Sequence, residues 1–248
     1  MLPFSVFAYS TIDLLSLAIV ILGILVQARI GIGFALLSAP LLFIINESYM
    51  PGPILILGFT LSLLLFFSEK QSLSLKIVLP AIAARFPGSW FGVVILIYLP
   101  QWLLGMAIGV SLLFASLLSF IKLSIPLNAR NLFLAGFFSG FSGTITSIGG
   151  PIMALIYQNE SPVNTRKALI SFFLIGTPIS ILLLALAGEL SLQAFVLSVK
   201  MMPGVLIGFL LSRYKLFAVI SPSKKSIIFL SIFSAFIIIS KSLLTFYE

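Results

Sequence analysis

The chain contains neither cysteine nor histidine. Their absence removes disulfides, thiolate nucleophiles, imidazole bases and most transition-metal sites together. Asp13 is the only aspartate among six acidic residues. An intramembrane protease or hydrolase needs a serine with a base, paired aspartates or a metal. No enzyme is therefore expected, and no cofactor or metal. Charge is scarce as well: 8% of the 248 residues are charged, against roughly 25% in an ordinary soluble domain. So little polar surface requires lipid as the outer solvent. Tryptophan and tyrosine number 2 and 6 beside 24 phenylalanines, and phenylalanine suits hydrocarbon, where an indole or phenol finds no partner. Met1 to Ser10 carry no basic residue ahead of the first apolar run, so no cleavable secretory signal is expected.

What is present is apolar sequence, 60% of the chain. A helix needs ~20 such residues to cross the hydrocarbon core. Candidate spans read at 11–28, 31–46, 52–68, 77–99, 101–121, 131–158, 168–188, 190–212 and 226–246. A transmembrane barrel would alternate apolar and polar residues over ~10-residue strands, whereas these runs are apolar on both faces. The expected fold class is all-α, polytopic and membrane-embedded.

Two segments are not ordinary spans. Gly31 and Gly33 follow Arg29, with Pro40 inside the next run, and Gly136, Gly140 and Gly143 precede Gly149-Gly150-Pro151. Glycine and proline weaken the helical hydrogen-bond ladder. Broken backbone at membrane depth survives only inside protein or beside a wet cavity. Gly136 and Gly140 also read as a GxxxG packing face.

An ordered set of anchors recurs. Pro40 is followed by Asn46-Glu47-Ser48, and Pro151 by Asn159-Glu160-Ser161; Leu73-Ser74-Leu75 matches Leu190-Ser191-Leu192. PGxxxG occurs at Pro87 and at Pro203, 47 residues after Pro40 and 52 after Pro151. Two repeats are expected, over 1–125 and 126–248, with Pro40, Pro87, Pro151 and Pro203 as structural markers. Duplicated halves are common in secondary transporters, which bind substrate at the repeat interface.

Loop charge orients the chain. Ten of the fourteen basic residues lie in the loops 69–76, 122–130, 158–167 and 213–225, and none lies near 47–51, 100 or 189. The net charge of +8 then reflects basic cytoplasmic loops, not a nucleic-acid partner. Loops 122–130 and 158–167 share a side only if 131–158 enters and returns. That segment should be a hairpin broken near 143–150. The segment 11–46 should be its counterpart, pointing the other way. Each half becomes a broken-helix hairpin plus three spans, and the halves are inverted.

Four basic residues stand outside those loops: Arg29, Arg85, Lys200 and Lys241. Arg29 fits the turn of the first hairpin, and Lys241 can snorkel from the last span. Arg85 and Lys200 fall mid-span, two and three residues before Pro87 and Pro203. A charge at the bilayer centre costs ~2.5–3.5 kcal/mol even on insertion scales. All six carboxylates lie near predicted span ends. The compensating charge is then a bound anion, or the two cations meet carbonyls freed by the neighbouring prolines. Backbone at Gly31, Gly33, Gly149 and Gly150 adds partial positive charge at the breaks. Thr144, Thr146 and Ser147 supply hydroxyls there, unless they bond back to their own helix.

Residues 28–42, with Gly31, Gly33 and Pro40-Leu41-Leu42, resemble the first-repeat signature of the TauE/SafE sulfite-exporter family. Residues 136–157, with Gly-x3-Gly-x2-Gly-x5-Gly-Gly-Pro, are similar to its second. The resemblance spans the chain's length and layout. It implies transport of sulfite, an organosulfonate or a related sulfur oxyanion across a prokaryotic cytoplasmic (inner) membrane. The expected partners are a small inorganic or organic anion and the lipid bilayer, with oligomeric state open. The leading expectation is a secondary transporter working by alternating access. An anion channel and a non-transporting assembly factor are the alternatives.

Overall fold

The computed structural model describes residues 9–30, 33–68, 75–120, 125–214 and 224–247. Among them every regular element is helical. Ten α-helices follow in order: α1 (Thr11–Ile30), α2 (Phe34–Ile45), α3 (Gly52–Ser68), α4 (Leu75–Tyr98), α5 (Gln101–Phe120), α6 (Ala129–Thr146), α7 (Gly150–Ile156), α8 (Pro162–Leu186), α9 (Leu192–Ser212) and α10 (Lys224–Tyr247). Six of these, α1, α4, α5, α8, α9 and α10, are long and apolar enough to cross a membrane. Helices α2 and α3 are shorter apolar helices. The chain is thus a multi-pass integral membrane protein.

Both expected breaks exist. The segment 131–158 is not one span: α6 stops at Thr146 and α7 starts at Gly150. The first break separates α1 from α2, and Gly33 sits in it at φ 150°. A side chain there would be strained in backbone and would meet Val26 Cγ1, so glycine is required twice over. The second break turns at Ser147, which is left-handed at φ 58°. That conformation costs a residue bearing Cβ roughly 1–2 kcal/mol. The Ser147 hydroxyl donates 2.9 Å to the Pro51 carbonyl, tying the turn to the residue before α3. The span read at 168–188 begins earlier, at Pro162, because Ser161 caps it by accepting from Asn164 N–H at 3.3 Å.

The helices pair in a regular way. Each long hairpin helix packs on a helix from the other half of the chain: α1 on α9, and α6 on α4. Both pairs run parallel, since Gly204 and Gly208 meet Leu17 and Ile24 while Gly136 and Gly140 meet Ala81 and Arg85 in the same order. Further pairings are α2 with α10, α7 with α5, α3 with α9 and α8 with α4. Exchanging α1–α5 for α6–α10 maps each of these onto another, and maps α3 on α8 and α5 on α10 onto themselves.

The α4–α6 crossing is the closest. Gly88 and Gly92 face the carbonyls of Phe137 and Phe141, and Gly136 and Gly140 face those of Ala81 and Arg85. Both helices thus give up side chains where they cross, and the GxxxG of α6 is a packing face as well as the approach to a break. Backbone obstructs any added Cβ at Gly136, and overpacking of this kind costs typically 1–3 kcal/mol. Gly136→Ala should lower the melting temperature of detergent-purified protein by several degrees. Gly58→Ala, where a Cβ finds only Phe34 at 3.9 Å, should leave it within a degree or two.

Candidate functional site

The two breaks meet. Gly33 from the first and Ser147, Gly149 and Gly150 from the second line one cavity with about 60 Å³ of room. One water needs roughly 10–15 Å³ on that measure, so the space suits a few waters or one small solute. Ile54, Leu55, Gly58 and Ser62 of α3 form one wall, and Phe173 and Thr177 of α8 another. Arg85 of α4 supplies the only charge among the described lining residues.

Arg85 is 1% exposed. Its Nη2 reaches Ser180 Oγ at a long 3.4 Å, while Nε and Nη1 have no hydrogen-bond partner. No ion pair among the described residues involves it. Its Cζ lies 4.9 Å from the Phe172 ring centroid and 5.6 Å from that of Phe173. Such contacts offset part of a cation's desolvation. They do not satisfy its donors. Gly176 makes the room: a Cβ there would run into Arg85 Cδ and lie 3.0 Å from Nε. Ser180 in turn shares a 2.9 Å hydrogen bond with Ser89, which fastens α4 to α8 beside the guanidinium. The carbonyl left free by Pro87 does not bind Arg85, so that alternative is not what is found.

Lys200 is elsewhere. Its Nζ lies 2.8 Å from Asp13 Oδ2, and it does not line the cavity. The start of α1 packs level with the middle of α9, where Tyr9 Oη donates 2.8 Å to the Lys200 carbonyl. The expectation that no carboxylate could reach this mid-span lysine is therefore corrected. Counted back from the two PGxxxG prolines, Arg85 matches Met201, each two residues before its proline, and both are buried. Lys200 is one residue off that register, which on an α-helix is a rotation of about 100°. Lys241, near the end of α10, is half-exposed and paired as well, 2.8 Å from Glu47 Oε1.

The hydroxyls divide. Thr146 bonds back to the Ser142 carbonyl at 2.8 Å, and Ser147 donates to Pro51. Thr144 is buried without a partner but lies outside the cavity lining, as does Thr146. Gly31 and the Arg29 side chain fall outside the described residues. Pro151 lines the cavity, whereas Pro40, Pro87 and Pro203 lie inside α2, α4 and α9. Sequence reasoning missed Gln27, Ser62, Phe173, Gly176, Thr177 and Ser180. The Gly176-Thr177-Pro178 triplet within an apolar run was the one available signal.

The family model for the sulfite exporter TauE/SafE matches residues 15–240. The chain belongs to the TauE/SafE sulfite-exporter family. No curated protein and no solved structure matches it. In this TauE/SafE protein both glycine-rich signature segments converge on one cavity, with a single buried cation between them.

The Asp13–Lys200 pair sets a prediction separate from the cavity. Removing one member of a largely buried ion pair costs up to ~3–5 kcal/mol, whereas removing both costs far less. Lys200→Met should destabilise the protein in thermal melts, and Asp13→Asn combined with it should recover most of the loss. Anion binding per folded molecule should stay near wild type throughout.

Proposed function

We propose that this protein is a secondary transporter for a small, singly charged sulfur oxyanion, held at Arg85 between the two hairpin breaks. The observation carrying this reading is the buried guanidinium with two unpartnered donors beside an otherwise neutral cavity. A bound anion would supply the missing acceptors and charge. Backbone at Gly33, Gly149 and Gly150 lets a solute approach closely where no side chain intrudes. The family description points to sulfite-type anions.

Charge count and wall chemistry narrow the class. One fixed cation offsets one negative charge, and a second would remain buried and unpaired at a cost of several kcal/mol. Phe34, Leu36, Ile54, Leu55 and Phe173 make much of the wall apolar. A short alkanesulfonate or hydrogen sulfite fits this better than a dianion such as sulfate.

Alternating access by two inverted repeats, 1–125 and 126–248, is the proposed mechanism. Its support is the exchangeable helix pairing and the opposite directions of the equivalent helices α3 and α8 along the cavity. α3 approaches the basic side with increasing residue number, and α8 leaves it. The side bearing loops 69–76, 122–130, 158–167 and 213–225 is taken as cytoplasmic.

The test is direct binding to purified protein, by calorimetry or thermal shift, with sulfite at acid and neutral pH, propanesulfonate and sulfate. Propanesulfonate or hydrogen sulfite should bind, and sulfate should bind at least about tenfold more weakly. Arg85→Ala should weaken binding by at least tenfold, given that stripping one partner from a buried charge pair costs about 2–5 kcal/mol. Gly176→Val, which displaces the guanidinium, should act in the same direction. Monodisperse Arg85→Ala protein that binds every anion as wild type does would sink the assignment.

A further inference from the structure

The amide of Gln27 is used at one end only. Gln27 sits in the last turn of α1 and lines the central cavity with Gly33 and Phe34. Its Oε1 accepts from Phe34 N–H at 3.0 Å. That N–H is the first of α2, one of the donors a helix start leaves without an intrahelical partner. Gly33, just ahead of it, supplies no side-chain cap, so the preceding helix provides one. The bond also fixes which way the amide lies. Only its oxygen can accept an N–H, so the nitrogen is the end left over. Among the described residues Gln27 Nε2 has no hydrogen-bond partner. Other carboxamides are better served: Asn131 Nδ2 donates 2.9 Å to the Pro126 carbonyl, and Gln101 Nε2 donates to Glu47.

Arg85 brings the same surplus to the same cavity from α4, since its Nε and Nη1 are also without partners. The serines of the wall differ. Ser62 Oγ donates 3.0 Å to the Gly58 carbonyl and Ser147 Oγ 2.9 Å to that of Pro51, so their hydroxyl protons are already committed. Thr177, the remaining polar side chain of the lining, can donate or accept. The cavity therefore offers unused nitrogen donors from two helices that belong to different parts of the first half.

We propose that Gln27 is a second binding residue of the central site, with Nε2 donating to the anion held at Arg85 while Oε1 caps α2. This rests on the central cavity being the substrate site. The two groups do different things. The guanidinium charge attracts any anion, because Coulomb attraction falls off slowly with distance. The neutral amide acts only within hydrogen-bond range and along a narrow direction, so it requires an acceptor oxygen at a set place. Because one amide serves both partners, occupancy is also felt at the first break. Donation from Nε2 to an anion polarises the amide and makes its oxygen the stronger acceptor for Phe34 N–H.

Two variants separate the two ends of the amide. Gln27→Glu keeps an oxygen for Phe34 N–H and replaces the donor with a second acceptor. Gln27→Met keeps the length of the side chain and removes both. Propanesulfonate binding to purified full-length protein is measured by calorimetry. Hydrogen–deuterium exchange at the start of α2 is followed with and without propanesulfonate. Gln27→Glu should melt no lower than wild type, since its carboxylate shares a cavity with the unpaired Arg85, and should keep wild-type exchange at the start of α2. It should nevertheless bind propanesulfonate at least about tenfold more weakly, the scale of one hydrogen bond to a charged group. Gln27→Met should weaken binding about tenfold as well and exchange faster at the start of α2. Propanesulfonate should slow that exchange in wild type and in neither variant. A Gln27→Glu protein that binds propanesulfonate as wild type does would show that Gln27 is a cap and nothing more, and would overturn the proposal. Gln27→Met with wild-type affinity would overturn it too, and decides alone if Gln27→Glu does not fold. Unchanged exchange in propanesulfonate-saturated wild type would overturn the link to α2. Arg85→Ala is scored separately: loss of binding there beside unaffected Gln27 variants keeps the site and removes its second residue, and the opposite pattern keeps Gln27 and removes Arg85.

Discussion

A helix that ends inside a bilayer strands backbone groups that hydrocarbon cannot satisfy. Helix α1 gives way to α2 at Gly33, and α6 gives way to α7 after Ser147, and polar side chains answer the backbone left over at these breaks. Ser139 donates 2.9 Å to the Gly149 carbonyl and Ser142 3.2 Å to that of Ile148. Asn46 caps the short turn after α2, accepting from Ser48 N–H at 2.9 Å, and Gln27 accepts from Phe34 N–H. Residues of α3, α4 and α8 stand around the cavity between the two breaks. The cavity is the space left between two interrupted helices once their ends have been enclosed by protein.

The enclosure also explains how a lone arginine is tolerated. Helices α4 and α6 approach backbone to backbone at four glycines, and Gly176 of α8 leaves room for the Arg85 stem. The guanidinium is thereby held in one place, against two phenylalanine rings. Under the proposed function such a site is organised before an anion binds, which lowers the ordering cost of binding.

Much of this was legible in sequence, because the signals were physical and local. Long apolar runs mark the spans, glycine and proline mark the breaks, and basic loops imply that 131–158 returns on itself. Arg85 was conspicuous as a charge with nothing near it. Lys200 looked the same, because proximity to the PGxxxG proline counts residues and not helix angle. A one-residue offset turned it to the face that meets α1, where Asp13 waits. That pairing depends on how far α1 is shifted along α9, a tertiary quantity absent from the spacing of either segment. The α8 residues were missed for a related reason: nothing in an apolar run says which face will turn toward an arginine ninety residues earlier. Hydroxyls crowded around the second break read alike in sequence, yet only Ser147 reaches the cavity.

The interlocked pairing of hairpins with distant helices has a consequence for biosynthesis. Helix α1 leaves the ribosome long before α9, its main packing partner. The chain between Ile30 and Leu192 is 161 residues, on the order of ten to thirty seconds of synthesis at roughly 5–20 residues per second. Through that interval the first hairpin has its short helix and its neighbours but not the surface it finally rests on, and the lysine that neutralises Asp13 has yet to be made. The second hairpin has no such wait, since α4 precedes α6 in the chain. Assembly is therefore asymmetric in time even where the helix pairings of the finished protein exchange, and the first hairpin waits longest for its partner.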